Sequence, residues 1–521
     1  MRKKRSCKNP LLIFAVMIFV VATSYGSADA LGWSDGNTSL DVDILMKYTI
    51  AARAEKQDPE LLARLGATSD DGERNFERWD LTTNKINIIT DIEFNHDNKF
   101  GFFVRPKFFW DNVYKTNNSN DSPLTNSAFL AGKITNPQEW SDDMEDIYGS
   151  DAHILDAFIW TTFNLGERYV DIRLGSQTIA WGEAFFLGGG ISTASIRMDL
   201  AVALSAGVEL KEMYLPTEAL YIQMDLSDSV ALKTFYQYKW RGNKYFEAGA
   251  FGAPTDLFDE AAYGIVVAPG VMFPRLADQE ARDDGQWGLG MTYVANWLDE
   301  WEFGLFYGNY HSKGAVVNVT IPFGYNMVYP EDIQMYGLSV SGCLGTTQLS
   351  AEISTHKDTP ISAAVRYDLS QVQISWFAMG TGCGPGLLQD LKWADNWLSI
   401  GEVGYAWESG RMDGVTAGVD NGNSTASGIV CFMKWNWIQT FQNTDTNFTV
   451  GYGDTIHSDN ITRTVGAGGW MIGNTSGYVT FGGTYKTNLM FALKYSAIFG
   501  TMAANGDRDR DQISLELSYG F

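Results

Sequence analysis

The sequence predicts an all-β chain that closes into a transmembrane antiparallel β-barrel of about 16–20 strands, with long extracellular loops and short periplasmic turns. Three observations carry this prediction. The chain starts with a secretory leader, and it repeats long segments in which apolar and polar residues alternate. The loops between its predicted strands alternate between long and short.

Residues 1–30 have the composition of a signal peptide. A basic stretch precedes the uncharged apolar run from Leu11 to Val21, and Ala28-Asp29-Ala30 supplies the small residues that a signal peptidase reads. The apolar run is too short to be a convincing membrane anchor. We therefore expect export through a cleaved signal peptide, with one barrel over residues 31–521 and a short periplasmic lead-in at 31–38.

Composition and charge narrow the class of protein. The chain has 62 acidic and 38 basic residues, a net charge of −24, which excludes nucleic acid as a natural partner. Aromatic residues make up 14%, and 53 glycines stand against 13 prolines. Barrels need aromatic girdles and disfavour proline, which cannot donate to the sheet ladder.

The final segment shows the alternation most clearly. From Ile513 to Phe521 every odd position is apolar, and every even position is polar or glycine. An extended strand with this pattern has one apolar face. An alternating terminal strand that ends in Phe resembles the signal by which bacterial outer-membrane barrels are inserted. We assign Tyr519 and Phe521 to this signal, with the barrel-assembly machinery and outer-membrane lipid as partners.

Alternation alone does not separate a membrane barrel from a soluble sandwich, whose apolar face would point inward. Segment length favours the barrel, because most candidate strands have roughly 10–13 residues, against about 5–6 in soluble sheets. Tight turns are predicted at 96–99, 166–167, 227–228 and 298–300, and long segments at 112–151, 182–215 and 241–285. In the barrel, the charged residues on the polar faces line a wet lumen: Lys85, Asp91, Glu93, Asp171, Arg173, Lys233 and Lys239.

One ordered set of motifs is distinctive. It comprises Arg173-Leu174-Gly175-Ser176-Gln177, Trp181-Gly182-Glu183, the stretch from Lys211-Glu212 to Pro216, and Phe235-Tyr236-Gln237. The set resembles a large proteobacterial family known only as a domain of unknown function, number thirteen-hundred-two. The resemblance implies an outer-membrane barrel linked by genome context to hydrophobic-compound metabolism and to efflux-type transporters, so an inner-membrane transporter is a candidate partner. It implies no catalytic residue.

The same segment supplies the candidates for a constriction of the lumen. Arg173 and Gln177 fall on the polar face of a strand predicted over 168–181, and Glu183 follows its end. An Arg173–Glu183 pair is expected to hold an inward-folded loop or to shape the constriction. The alternative is that Trp181 belongs to the interface belt and Glu183 caps a turn. The full set of lumen candidates is Arg173, Gln177, Glu183, Glu209, Lys211, Glu212, Lys233 and Gln237.

Catalytic and metal sites are not expected. The five histidines are scattered without metal-ligand spacing, and no serine–histidine arrangement stands out. Acidic runs at 142–146 and 507–511 could bind calcium but are typical of solvated loops. The predicted function is an outer-membrane channel or transporter for a small solute, with a hydrophobic or lipid-like one as the candidate. The alternatives are a surface-interaction barrel and, less favoured, a lipid hydrolase; no cofactor is expected.

Overall fold

The computed structural model describes residues 31–65, 69–203, 206, 208, 210–320, 323–360, 366–385, 393–409, 425–458, 475–499 and 508–521. The predicted signal peptide at 1–30 and Glu209 lie outside these ranges. These ranges contain six short α-helices: α1 Pro59–Leu65, α2 Asp71–Arg74, α3 Ser127–Leu130, α4 Asp142–Met144, α5 Leu200–Ala203 and α6 Leu210–Met213. In the described ranges, no helix is both long and apolar enough to span a bilayer.

Eighteen antiparallel strands close into a single barrel, as the sequence predicted. The barrel strands, in chain order, are β2 Thr38–Arg53, β3 Leu81–His96, β4 Phe100–Asp111, β5 Ser150–Leu165, β6 Arg168–Gln177, β9 Thr217–Ser227, β10 Val230–Gln237, β13 Gln286–Ala295, β14 Trp301–Tyr310, β17 Ile333–Leu344, β18 Thr347–Pro360, β19 Arg366–Thr381, β20 Asn396–Ser409, β21 Thr425–Phe441, β22 Thr444–Ser458, β23 Thr475–Tyr485, β24 Leu489–Phe499 and β25 Gln512–Gly520. Each pairs with the next in the list.

The ring closes where β25 pairs with β2, from Leu45 opposite Gly520 to Arg53 opposite Gln512. The backbone N–H of Phe521 adds a bond of 3.0 Å to the carbonyl of Ile44. The segment predicted as a lead-in contains a further strand, β1 Leu31–Asp35, which pairs with the first residues of β2. It extends the ladder beyond the point where β25 ends.

The exposed apolar face distinguishes this barrel from a soluble sandwich. Along β13 burial alternates residue by residue, with Trp287, Leu289, Met291 and Tyr293 37–45% exposed between buried neighbours. A sandwich would bury its apolar face against a second sheet. Here the apolar face points away from the barrel and the polar residues point into the lumen, which is the arrangement that a bilayer selects.

Connections alternate between the two ends of the barrel. At one end, which we call the short-turn end, they are 97–99, 166–167, 228–229, 296–300, 345–346, 382–395, 442–443 and 486–488. Segment 382–395 is the exception in length. The opposite end, the long-loop end, carries the remaining connections, and three hairpins form within them: β7 Arg197–Met198 with β8 Tyr214–Leu215, β11 Gly264–Ala268 with β12 Val271–Pro274, and β15 Val316–Thr320 with β16 Gly324–Val328.

Two predicted strands end earlier in the structure than the sequence indicates, at Gln177 and at Gln237. The strand predicted over 168–181 ends at Gln177, because the chain leaves the ladder there. The N–H of Thr178 donates to the side-chain carboxylate of Asp156 on β5 at 3.2 Å instead of to a backbone carbonyl of that strand. The chain then turns into the barrel.

Candidate functional site: a loop fastened across the lumen

Residues 178–216, between β6 and β9, form a segment that we call the crossing loop. Its contacts with Glu352, Glu402 and Lys47 lie near the middle of barrel strands. It therefore lies inside the lumen. Three buried carboxylates fasten it, two of them belonging to the wall and one to the loop.

The first fastening is Glu352 of β18, which is 3% exposed. Its carboxylate accepts backbone N–H bonds from three residues of the crossing loop: Glu183 at 2.6 Å, Ala184 at 3.1 Å and Ile191 at 2.9 Å. Hydrogen bonds to an ionised acceptor are roughly twice as strong as neutral ones. The Glu352 side chain therefore holds residues 183–184 and residue 191 of the crossing loop against the wall.

The second fastening is Glu402 of β20, which is fully buried. It accepts N–H bonds from Leu187 at 2.7 Å, Phe186 at 3.3 Å and Phe185. Gln373 and Ser375 of β19 complete the site, because both donate to this carboxylate, at 3.2 and 2.9 Å. The loop tip, residues 185–187, is thus held by a strand nearly 220 residues further along the chain.

The third fastening attaches the other end of the loop to a different part of the wall. Glu212 of α6, 2% exposed, pairs with Lys107 of β4 at 2.8 Å and with Lys47 of β2 at 3.8 Å. The Asn87 amide of β3 donates to it at 2.7 Å. Glu212 was one of the predicted lumen candidates, whereas its three partners were not.

The fastenings lie on opposite sides of the barrel. The three partners of Glu212 belong to the first three barrel strands, β2, β3 and β4. Glu352 lies on β18, the eleventh barrel strand in chain order, and Glu402 lies on β20, the thirteenth. In a ring of eighteen, β3 and β18 are nine strands apart, which is diametrically opposite. The crossing loop therefore spans the lumen from wall to wall.

Between its fastenings the loop packs against the inner wall through apolar side chains. Trp181 lies 4.7 Å from the ring of Phe235 and 5.5 Å from that of Phe306, centroid to centroid. The buried cluster consists of Ile179, Trp181, Ile191, Ala194, Ala219, Phe235, Phe306, Tyr310, Ile333 and Met335. Aromatic burial of this kind contributes the largest apolar area per residue. The wall residues of this cluster belong to β9, β10, β14 and β17.

Glycine is required where the loop backbone meets the Glu352 carboxylate. A Cβ on Gly190 would lie 2.0 Å from Oε1 of Glu352, and one on Gly182 would lie 2.3 Å from Oε2. Gly182 also has a φ of +84°, which L side chains rarely adopt. The Gly188-Gly189-Gly190 run thus permits close approach of a carboxylate.

Of the other predicted lumen residues, three lie on the crossing loop or close to it. Gln237 donates to the Ser195 carbonyl of the loop at 2.8 Å, whereas Gln177 donates to the Ala219 carbonyl of β9 at 2.9 Å. Lys233 lies close enough to Glu183 to influence its ionisation. Lys211 is half-buried on α6 next to Glu212.

Arg173 and Glu183 have separate partners. Arg173 pairs with Asp171 on its own strand at 2.9 Å and stacks over Tyr221, whereas Glu183 faces Glu302, Glu352, Lys233 and Ser341. Trp181, for which the interface belt was the alternative, is 5% exposed inside the barrel. The loop is held by backbone N–H groups on wall carboxylates and not by an Arg173–Glu183 pair.

The charges predicted to line the lumen follow the polar faces of the strands with one exception. Arg105 bridges Asp91 at 2.6 Å and Asp156 at 3.1 Å. Lys85 lies 4.1 Å from the Phe109 ring centroid. Lys239, predicted to lie on a strand, falls beyond the end of β10 and is exposed in a loop.

Glu183 gives the site a testable pH dependence. Burial and the negative charges of Glu302 and Glu352 raise the pKa of Glu183 to about 7. Its carboxyl group is therefore neutral in acid and negative in base. We expect cation selectivity, measured as reversal potential across a salt gradient, to rise between pH 6 and pH 8. Glu183→Gln should remove that rise, and an unchanged pH profile in the variant would contradict the assignment.

The fold and the site together define a transmembrane β-barrel with a loop fastened across its lumen. The chain belongs to the family described as "Protein of unknown function (DUF1302)", whose model matches residues 11–521. The family motifs Arg173–Gln177, Trp181–Glu183, Lys211–Pro216 and Phe235–Gln237 all lie on the crossing loop or on the strands beside it. A comparison with curated protein sequences found no significant match.

Solved structures with a similar fold are outer-membrane proteins. OpdK of Pseudomonas aeruginosa, solved with vanillate, is 12% identical with a TM-score of 0.44, over 92% of this chain and 98% of that one. OccK9 (OpdG) of the same organism is 9% identical with a TM-score of 0.42, over the same shares. OmpT of Vibrio cholerae is 8% identical with a TM-score of 0.38, over 95% of this chain and 100% of that one.

Proposed function

We propose that this protein is an outer-membrane channel that passes a small solute through a passage narrowed by the crossing loop. One observation carries the proposal: the loop is fastened to opposite walls by buried carboxylates, which holds it inside the lumen. A loop that only covered the barrel end would not need mid-strand partners. The proposal includes export through a cleaved signal peptide, insertion by the barrel-assembly machinery, and an inner-membrane transporter as a candidate partner.

The passage runs between the loop tip and the wall formed by β20 to β25. Phe186 at the tip is 43% exposed, and its ring lies 6.2 Å from that of Phe432 on β21. Tyr478 of β23 lies in the same row of the wall, because Phe432 and Tyr478 both pair with Gly451. The loop tip and this row form an aromatic layer.

A basic layer lies two residues closer to the short-turn end. Lys434 pairs with Thr449, Thr449 with Thr480, and Thr480 with Lys494, so these four side chains lie in one row on the inner wall. The Lys494 ammonium is 4.6 Å from the Tyr478 ring centroid, which links the two layers. An aromatic layer followed by two lysines suits a hydrophobic or lipid-like solute with an anionic end.

Planar-bilayer recording with purified protein tests the channel, and liposome uptake tests the solute. We expect discrete conductance steps and faster uptake of a medium-chain fatty acid than of the alcohol of equal length. Lys434→Gln with Lys494→Gln should reduce that preference, because both anion-binding groups are removed. Lys85→Gln, an inward lysine away from this row, is the matched control. Absence of any conductance from folded protein would overturn the channel and favour a surface-interaction barrel.

A further inference from the structure

Three aspartates from two distant loops meet beneath the long-loop end. Asp70 and Asp71 lie at the start of α2, and Asp256 comes from the connection between β10 and β11. One oxygen from each carboxylate lies within 4.8 Å of the other two, and the three residues are 1%, 4% and 3% exposed. Carboxylates buried at this distance repel one another unless a positive charge is shared between them.

Two carboxylate oxygens of the cluster accept no hydrogen bond from the described residues. Asp70 Oδ2 accepts from Arg74, and Asp256 Oδ2 accepts from the N–H of Asp71 at 3.2 Å. The Oδ1 atoms of Asp70 and Asp256 are buried and have no hydrogen-bond partner among the described residues. Asp70 is at the N-cap position of α2 but makes no side-chain cap bond. A buried carboxylate oxygen without a hydrogen-bond donor is costly, so these two atoms are suited to bind a cation.

We propose that Asp70, Asp71 and Asp256 bind one calcium ion that joins the long loops of the barrel. Calcium prefers carboxylate and carbonyl oxygens at about 2.3–2.6 Å. Any two oxygens bound to one such ion therefore lie no more than roughly 4.6–5.2 Å apart. The three oxygens of the cluster, all within 4.8 Å of one another, meet this condition.

The position of the site gives the ion a structural task. Asn75 Nδ2 bonds the Gly249 carbonyl at 2.8 Å, and Asn120 Nδ2 bonds Asn75 Oδ1 at 2.9 Å. The Ser127 N–H donates to Asp71 at 3.3 Å. Segments 69–80, 112–149 and 238–263 therefore meet at the cluster. A cation there would hold these three segments together over the β2–β5 side of the barrel.

Calcium binding to the purified, folded protein in detergent tests the proposal. After removal of divalent ions with EGTA, we expect titration calorimetry to show one calcium ion bound per chain, and the midpoint of thermal unfolding to rise when calcium is restored. Asp256→Asn should weaken calcium binding on the order of tenfold or more, since even outer partners of a metal site change affinity by about 10–100-fold. The control is Asp142→Asn, an exposed aspartate of the 142–146 run, which should bind as the wild type does.

Two results would overturn the proposal. The first is wild-type protein that binds no calcium and whose unfolding midpoint is unaffected by EGTA; the three carboxyl groups would then share protons instead. The second is stoichiometric binding that Asp142→Asn abolishes and Asp256→Asn retains, which would assign the ion to the 142–146 run. Because the first result is measured on wild-type protein, the test does not depend on the variants folding.

Discussion

Glu402→Ala is expected to release the tip of the crossing loop and to increase single-channel conductance severalfold. The substitution removes the acceptor of three loop N–H groups and of the Gln373 and Ser375 side chains. Each hydrogen bond to a charged group contributes about 1.5–3 kcal/mol. The loop tip, with Phe185 and Phe186, should then leave the wall and widen the passage. Recordings in planar bilayers measure this directly.

Two further variants separate release of the loop from loss of a lumen charge. Glu402→Gln keeps one acceptor oxygen but turns an amide N–H₂ toward the loop donors, so we expect an intermediate conductance. Glu93→Gln removes an exposed lumen carboxylate on β3 that is not among the fastenings of the loop, and it should leave conductance close to the wild-type value. Equal conductance in Glu402→Ala and wild type, with both proteins folded, would mean that the loop is held by something other than Glu402.

Glu212→Ala is expected to cause the largest loss of stability among the loop residues. It removes the carboxylate that pairs with Lys107, which is 4% exposed, and with Lys47, which is 6% exposed. Removing one partner of a buried pair costs about 3–5 kcal/mol, because the other charge stays buried. We expect a lower midpoint of heat-induced unfolding, read from gel mobility, and faster cleavage of the loop by an added protease.

Replacing both partners tests whether charge is the cause. The double variant Lys107→Met with Glu212→Met removes the closer of the two ion pairs of Glu212 at similar volume and keeps Lys47. Such replacements of a buried pair are often neutral or stabilising. Its unfolding midpoint should therefore exceed that of Glu212→Ala. If both variants unfold at the same temperature, the cost comes from lost packing of α6 and not from the unpaired lysine.

The barrel was predictable because its determinants are local. Alternation over ten or more residues fixes which face of a strand meets lipid, and the tight turn predicted at 166–167 is the connection between β5 and β6. Strand ends were less predictable: Trp181 looked like the aromatic end of a strand, but the chain leaves the ladder at Gln177 and buries the indole in the lumen.

The sequence pointed to the motif residues of the site, but not to the barrel-wall residues that hold the crossing loop. The motif residues Glu183, Glu212 and Gln237 were identified, because they lie together on one stretch of chain. Their anchors were not, since Glu352 and Glu402 are more than 160 residues away from the backbone groups that they hold. A glutamate on the inward face of an alternating strand was the available signal, but such residues usually face water in the lumen. Asp70 and Asp256 are also far apart in the sequence, so their contact was not predictable either.

Chemical cross-linking of the loop tip to the far wall tests the central claim most directly. In a background with Cys343, Cys383 and Cys431 replaced by serine, Phe186→Cys and Phe432→Cys are combined, because their rings lie 6.2 Å apart. A short thiol cross-linker applied to the folded protein should join the peptides that contain positions 186 and 432 in high yield. The control pair, Phe186→Cys with Lys85→Cys, should not be joined. Efficient modification of positions 186 and 432 without a cross-link would contradict a loop fastened across the lumen.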